Sequence, residues 1–335
     1  MSSTAPVTDN DVLLTAVKAA TFAPSVHNSQ PWRFELHGDS LDIFADTERW
    51  LRAIDPIGRE LSISCGAAIY FARLALRGLS RQITTALLPT PSRPEHLARI
   101  TMTGRDEPSD DERSLIRSIP IRYTDRGVYD NRPVPDDLIE TLRRGVAAEG
   151  AWLRPVDGSK DSVEVAILLA HADDVQQADP SYREELARWS RYDDDALDGI
   201  SRKAVPTTAV ADRASNYRLR DFDVDRRATP VPKTGTPPLA ETPFVCLIGT
   251  AGDDKRSWLE AGQALGWLLL RAAADGVSAS PMTQVLEVPS TRAELTQRLR
   301  LLSHPQTLLR MGYGTGRPTT HRRPVDDVVR SSERG

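Results

Sequence analysis

Lysine is nearly missing from this chain. Only five of its 43 basic residues are lysine (Lys18, Lys160, Lys203, Lys233 and Lys255), and the rest are arginine. Any anion site must therefore use the planar guanidinium fork instead of an ammonium point charge. Cysteine is scarce too: Cys65 and Cys246 lie in apolar runs and read as buried thiols, not as a disulfide framework or metal cluster. The six histidines show no HxxxH or HExxH spacing, so no metal centre is expected. No apolar run approaches the roughly 18 residues of a membrane span. The polar start, Met1 to Val12, lacks the basic and apolar regions of a signal peptide. A net charge of −4 gives no footprint for nucleic acid. A soluble cytoplasmic protein is the expectation, without nucleic-acid or membrane partners.

What is present is a globular composition, 39% hydrophobic and 27% charged over 335 residues. That length suits two units or one duplicated one. A capping box at Thr8–Asp11 opens a helix whose apolar face is Val12, Leu13, Ala16, Val17 and Ala20. Pro24 stops it. Strands are expected at 32–36 and 41–45, a helix apolar nearly all round at 59–79, and strands at 83–88 and 97–103. The second unit has helices at about 135–148 and 162–173, a strand at 151–156, and a strand at 244–249. A buried helix at 257–275 is expected to start at a capping box, Ser257 to Glu260. A helix at 290–302 and a last strand at 308–312 follow. The stretch 175–240 breaks this pattern with charge clusters and Pro230, Pro232, Pro237 and Pro238.

An echo runs through the chain. Leu13 to Lys18 resembles Leu138 to Arg143 at an offset of about 125, and Gly66-Ala-Ala-Ile resembles Gly262-Gln-Ala-Leu at about 196. The jump in offset locates an insertion at 175–240. The halves are expected at 1–112 and 113–330.

Ala23-Pro-Ser-Val-His-Asn-Ser-Gln-Pro-Trp32 is the most informative segment. Two prolines fix an uncharged loop whose amides and hydroxyls suit the edge of a flat heterocycle. The same residues also suit a well-capped turn. Arg122-Tyr-Thr124-Asp-Arg126 pairs guanidinium forks with a hydroxyl, a set that satisfies phosphate oxygens. A solvated charged turn is the competing reading. Gly276-Val-Ser-Ala-Ser280-Pro281-Met282 follows the buried helix, and Gly312-Tyr-Gly314-Thr-Gly316-Arg317 leads to Arg322 and Arg323. Composition alone allows a plain loop and a basic tail there. No dinucleotide fingerprint is present, because no G-x-G-x-x-G lies between a strand and a helix.

Taken together, these four segments resemble the FMN-dependent nitroreductase family, and the form with His before Asn resembles its fused, internally duplicated actinobacterial Acg-like branch. The resemblance covers nearly the whole chain. It implies an α+β nitroreductase-like fold in two tandem degenerate copies that mimic a dimer, with an inserted lid at 175–240. It implies FMN contacts from Ser25, Asn28 and Gln30, with His27 and Arg33 as neighbours. Phosphate and ribityl contacts are implied for Arg122, Thr124 and Arg126, with Gly316, Arg317, Arg322 and Arg323 returning to the phosphate. Ser280, Pro281 and Met282 are implied to lie against the ring. The second copy lacks the ring loop at Val146–Trp152, so one FMN per chain and a monomer acting as a pseudo-dimer are expected.

The implied partners are NAD(P)H and a small oxidised acceptor, a nitroaromatic or a quinone. No side chain is assigned as catalytic acid or base. A lysine that many family members place beside the flavin has no obvious match here. That departure and the insertion leave an alternative open, an FMN storage or sequestration protein with a closed lid and little turnover. Oxygen-driven fragmentation of reduced flavin and a ligand-free scaffold are further alternatives.

Overall fold

The computed structural model describes residues 8–193, 195–201, 216–220, 222, 241–314 and 320–330. Two long helices run through its centre, α2 (Arg59–Gly78), which follows α1 (Asp9–Thr21), and α7 (Lys255–Ala274). Their apolar surfaces are buried nearly all round, as the sequence predicts, because each helix has neighbours on every side. They cross where neither carries a side chain. A Cβ on Gly66 would stand 2.3 Å from the carbonyl oxygen of Leu259, and one on Gly262 would stand 2.1 Å from that of Ile63. The contact is reciprocal, so glycine at both positions sets how closely the helices approach.

On one side of this pair lies a sheet ordered β11-β1-β2-β4-β3. It is built from β1 (Trp32–His37), β2 (Ser40–Ala45), β3 (Arg81–Leu87), β4 (His96–Arg105) and β11 (Val329–Arg330). The last strand comes from the C-terminal end and pairs in parallel with β1, Phe34 opposite Val329. This sheet, α1, α2 and α3 (Asp110–Ser118) share one core around Leu13, Trp32, Phe34, Phe71 and Leu115. The Thr8 capping box forms as expected, with the Asp11 amide donating to Thr8 Oγ1 at 3.2 Å.

On the other side lies an antiparallel sheet ordered β5-β8-β10-β9. Its strands are β5 (Trp152–Pro155), β8 (Phe244–Thr250), β9 (Ser278–Pro281) and β10 (His304–Gly312). Both faces of β8 are covered, which is why its sequence is a continuous apolar run. Cys246 and Ile248 face the core of α7 and α4 (Asp136–Ala148). Val245 and Leu247 face the core of α5 (Gly158–Ala178) and α9 (Pro289–Arg298). Cys65 and Cys246 are both buried and unpaired, in separate cores.

Between α5 and β8 the chain forms α6 (Pro180–Trp189) and a two-stranded ladder of β6 (Ser190–Arg191) and β7 (Ile200–Ser201). Tyr182, Leu186, Trp189, Ile200 and Phe222 pack there on Leu51 and Ile54. The short α8 (Gln284–Glu287) and α10 (Val325–Val328) complete the elements. Gly316 and Arg317, like most of 202–240, lie outside the described residues.

Two expectations need correction. The long helix α7 begins two residues before Ser257, because Asp254 is its cap and accepts from the Ser257 amide at 2.9 Å. Residues 278–281 form a strand instead of a loop, because β10 offers an edge for it. No described helix is long and apolar enough to cross a membrane.

Candidate functional site

The loop after α1 carries unusual backbone geometry. His27, Asn28 and Gln30 have φ of 48°, 53° and 50°, in the left-handed region. For non-glycine residues each such conformation costs energy, of order 1–3 kcal/mol at strained sites, and needs its surroundings to hold it. Those surroundings are visible. The Val26 amide donates to Ser64 Oγ at 3.1 Å, and the Gln30 amide donates to Ser25 Oγ at 2.9 Å. Gln30 also ties down two remote segments. Its Nε2 donates to the Leu197 carbonyl at 2.8 Å, and its Oε1 accepts from the Arg323 amide at 2.9 Å.

A cavity of about 130 Å³ lies against this loop. Ser25, His27 and Asn28 form one wall, and Ser280, Pro281 and Met282 another. Thr124, Arg126 and Arg322 also line it. Thr124 and Arg126 reach the cavity because Thr124 bridges to Ala279 and the Asp125 amide donates to the Ala279 carbonyl at 3.2 Å, while Arg122 does not line it and donates to the Phe22 carbonyl at 3.3 Å. Four segments spread over 298 residues of sequence, from Ser25 to Arg322, thus meet at one place. Gln30 lies behind the loop and Arg323 beside it on Gln30. Arg33 lies on β1, outside this cavity, over the ring of Phe44.

Several buried polar atoms here have no hydrogen-bond partner among the described residues. They include His27 Nδ1, Asn28 Oδ1, Arg122 Nε and Nη1, and Arg322 Nε. Asn28 Nδ2, by contrast, donates to the Gly199 carbonyl at 3.1 Å. His27 Nε2 accepts from Arg220 Nη1 at 2.9 Å, so the ring proton sits on Nδ1. Burial, reinforced by Arg220 and Arg126, holds the His27 pKa well below its usual value, and the ring is neutral. The loop thus presents one free donor and one free acceptor on adjacent residues.

Arg122 is buried, Arg126 and Arg322 are half-buried, and Arg122 lies close enough to both to be repelled by them. None of them forms an ion pair among the described residues. Burial, then repulsion from Arg322 and Arg126, lowers the Arg122 pKa to about 9. Burial lowers Arg322 to about 10. Burial and Arg220 likewise lower Arg126 to about 10. Converging guanidiniums, two of them with N–H groups that have no partner among the described residues, are suited to a multiply charged anion.

Sequence reasoning missed the opposite wall. The Arg220 side chain is buried, and its Nη2 donates to both Glu287 carboxylate oxygens, at 2.6 and 2.8 Å. Phe222 packs edge-on against His27 at 5.5 Å and lies under Arg126. Glu60, Ile63, Ser64 and Gln284 also line the cavity. Nothing in the sequence pattern singles out Arg220, Phe222, Glu60 or Glu287.

No family model matches the chain. A protein of Mycobacterium tuberculosis H37Rv, Rv3131, provisionally named an NAD(P)H nitroreductase, is 33% identical over 327 residues, spanning 96% of this chain and 92% of that protein. The acg protein of the same organism, provisionally given the same activity, is 29% identical over 323 residues, 95% of each chain. Among solved structures, the FMN-dependent nitroreductase NfnB of Mycobacterium smegmatis in complex with NADPH aligns at a TM-score of 0.40 and 15% identity, over 67% of this chain and 100% of that one. The kinship stands on the two sequences, aligned almost end to end: the chain belongs to the family of these mycobacterial proteins, the acg-type NAD(P)H nitroreductases.

Proposed function

We propose that the chain is an FMN-dependent NAD(P)H oxidoreductase that binds one FMN in this cavity. The observation that carries the reading is the group of three guanidiniums, buried Arg122 and half-buried Arg126 and Arg322, which form no ion pair among the described residues. A phosphate monoester carries about −1.5 to −2 charges near neutral pH and would satisfy their idle N–H groups. The free His27 donor and Asn28 acceptor suit the pyrimidine edge of a flavin, which offers carbonyl oxygens beside an N–H. When bound, the flavin would supply the hydride and electron chemistry. The chain's own residues would orient it, shield one face with Pro281 and Met282, and neutralise its phosphate. Arg317 and Gly316 belong to the same proposal, as does Arg33 as a neighbour of the loop.

The pseudo-dimer belongs to it too, with halves at 1–112 and 113–330. Its support is the reciprocal Gly66–Gly262 crossing, together with the way α1 packs on α2 as α4 packs on α7. NAD(P)H would be the reductant and a nitroaromatic or quinone the acceptor.

A second reading, a flavin store, is favoured by one feature. Arg220 and Phe222 form part of the cavity wall, and about 130 Å³ is small beside the roughly 300–1,000 Å³ of ligand pockets. The segment around 175–240 would then act as a lid that must stand back before a nicotinamide can stack on the ring. Anaerobic bleaching separates the two readings. A reductase is bleached rapidly by NAD(P)H and reoxidised by a quinone. A store is bleached by dithionite but only slowly by NAD(P)H.

A further inference from the structure

A wall of buried charge separates the cavity from an outer groove. Glu60, in the first turn of α2, lines the cavity. Asp55, Arg59 and Glu287 line the groove, beside the exposed Ile57. Arg220 grips Glu287 from the cavity side. The wall thus holds three carboxyl groups and two guanidiniums, all five side chains out of water, with Arg59 on Glu60 and Arg220 on Glu287. A carboxyl this far out of water keeps a proton unless its own partners hold its charge.

The hydrogen bonds indicate which carboxyl keeps it. Asp55 accepts from the amides of Arg59 at 2.8 Å and Leu61 at 2.9 Å. Glu287 is held by Arg220, by Gln176 at 2.7 Å and by Thr283 at 2.7 Å. Glu60 has one side-chain bond, from Arg59, and its second oxygen has no partner among the described residues. Arg59 itself is divided, since it also donates to the carbonyls of Gln306 and Leu286. Behind Arg220 stand His27, which is neutral, Arg126, which adds a positive charge, and Asp173, which pairs with Arg218.

We propose that Glu60 is the proton donor of the cavity, giving the electron acceptor the solution proton that its reduction consumes and regaining one from the outer groove across the Asp55–Glu287 wall. The inference rests on the reductase reading. Its balance is NAD(P)H plus quinone plus one proton giving NAD(P)⁺ and hydroquinone. The hydride supplies both electrons and one hydrogen, and the Glu60 carboxyl supplies the other. The carboxylate left behind is then reprotonated from solvent. Burial pushes the Glu60 carboxyl up to about 7; Arg59 and Arg220 pull against that, while Glu287 and Asp55 add to it.

Two measurements on the full chain test this. The first is infrared titration of the flavin-free protein, with Glu60→Gln as the reference. The wild type should show a protonated-carboxyl stretch at neutral pH that fades between about pH 6 and 8 and is absent from the variant. The second compares a quinone with ferricyanide, which takes an electron but no proton. Glu60→Gln should slow quinone reduction about a hundredfold and flatten its decline above neutral pH, while ferricyanide reduction stays within about twofold. Unchanged quinone kinetics, or equal losses with both oxidants, would overturn the proposal. If Glu60→Gln does not fold, Glu60→Asp serves in both measurements and should shift the band and the pH profile together. A wild type that reduces neither oxidant refutes the reductase reading itself. The infrared titration then decides alone, because a Glu60 already ionised at pH 7 removes the donor.

Discussion

Replacing Arg122 with methionine should have opposite effects on the empty and the loaded protein. Arg122 is buried, its Nε and Nη1 have no partner among the described residues, and the one side-chain hydrogen bond there is a 3.3 Å contact from Nη2 to the Phe22 carbonyl. A guanidinium stays charged at neutral pH, so its depressed pKa, about 9, appears as lost folding free energy. The sign follows from linkage. A base whose folded pKa lies below its unfolded value destabilises the fold at all pH values below that folded pKa, and stability rises as pH climbs through it. At roughly 1.4 kcal/mol per pKa unit, the burden is a few kcal/mol. Methionine has similar volume and no charge, and replacing an uncompensated buried ion with a packed apolar group is commonly neutral or stabilising by about 1–4 kcal/mol. The Phe22 carbonyl left behind offsets about 1 kcal/mol. Flavin-free Arg122→Met should therefore unfold in urea at an equal or higher midpoint than the wild type. FMN affinity should fall at least about tenfold, from loss of a charge-assisted bond worth about 1.5–3 kcal/mol. A variant that is strongly destabilised when empty, yet binds FMN normally, would show that Arg122 is a structural residue and refute the reasoning.

Three further outcomes are expected. Arg126→Ala should weaken FMN binding in calorimetry about tenfold or more while leaving riboflavin binding nearly unchanged, because riboflavin has no phosphate. Gly262→Ala should destabilise the fold by about 1–3 kcal/mol or more in urea titration, since its Cβ would collide with the Ile63 carbonyl at the α2–α7 crossing. Asp253 is opposed by burial, but bonds from Arg292, Trp258 and Gln306 hold its carboxyl far below the usual range. Its contribution is present above the unfolded pKa near 3.8 and is lost as pH falls towards the lower folded value, so Asp253→Asn should shrink the acid-induced fall in stability over that window.

Much of the fold was legible because its period was strong. The helices at 59–78 and 255–274 announced themselves as apolar on nearly every face, and the echo at Gly66 and Gly262 marked the two residues that touch. The cap of α7 was misread because Asp254 and Ser257 are both good caps, and only the three-dimensional path selects between them. The strand at 278–281 and the C-terminal β11 were not legible. Each is short and exists because a distant strand offers an edge. At the site, the polar loop, Arg122, Arg126 and Arg322 carried a recognisable spelling. Glu60, Arg220 and Glu287 did not, since a buried charge cluster is defined by burial and partners that no local pattern encodes.

The visible spectrum of the purified chain, with released flavin measured against protein, tests the central claim most directly. The account predicts flavin absorbance bands and a ratio of FMN to chain near one. A colourless protein that takes up no FMN on reconstitution would contradict it, and a ratio near two would contradict the single site.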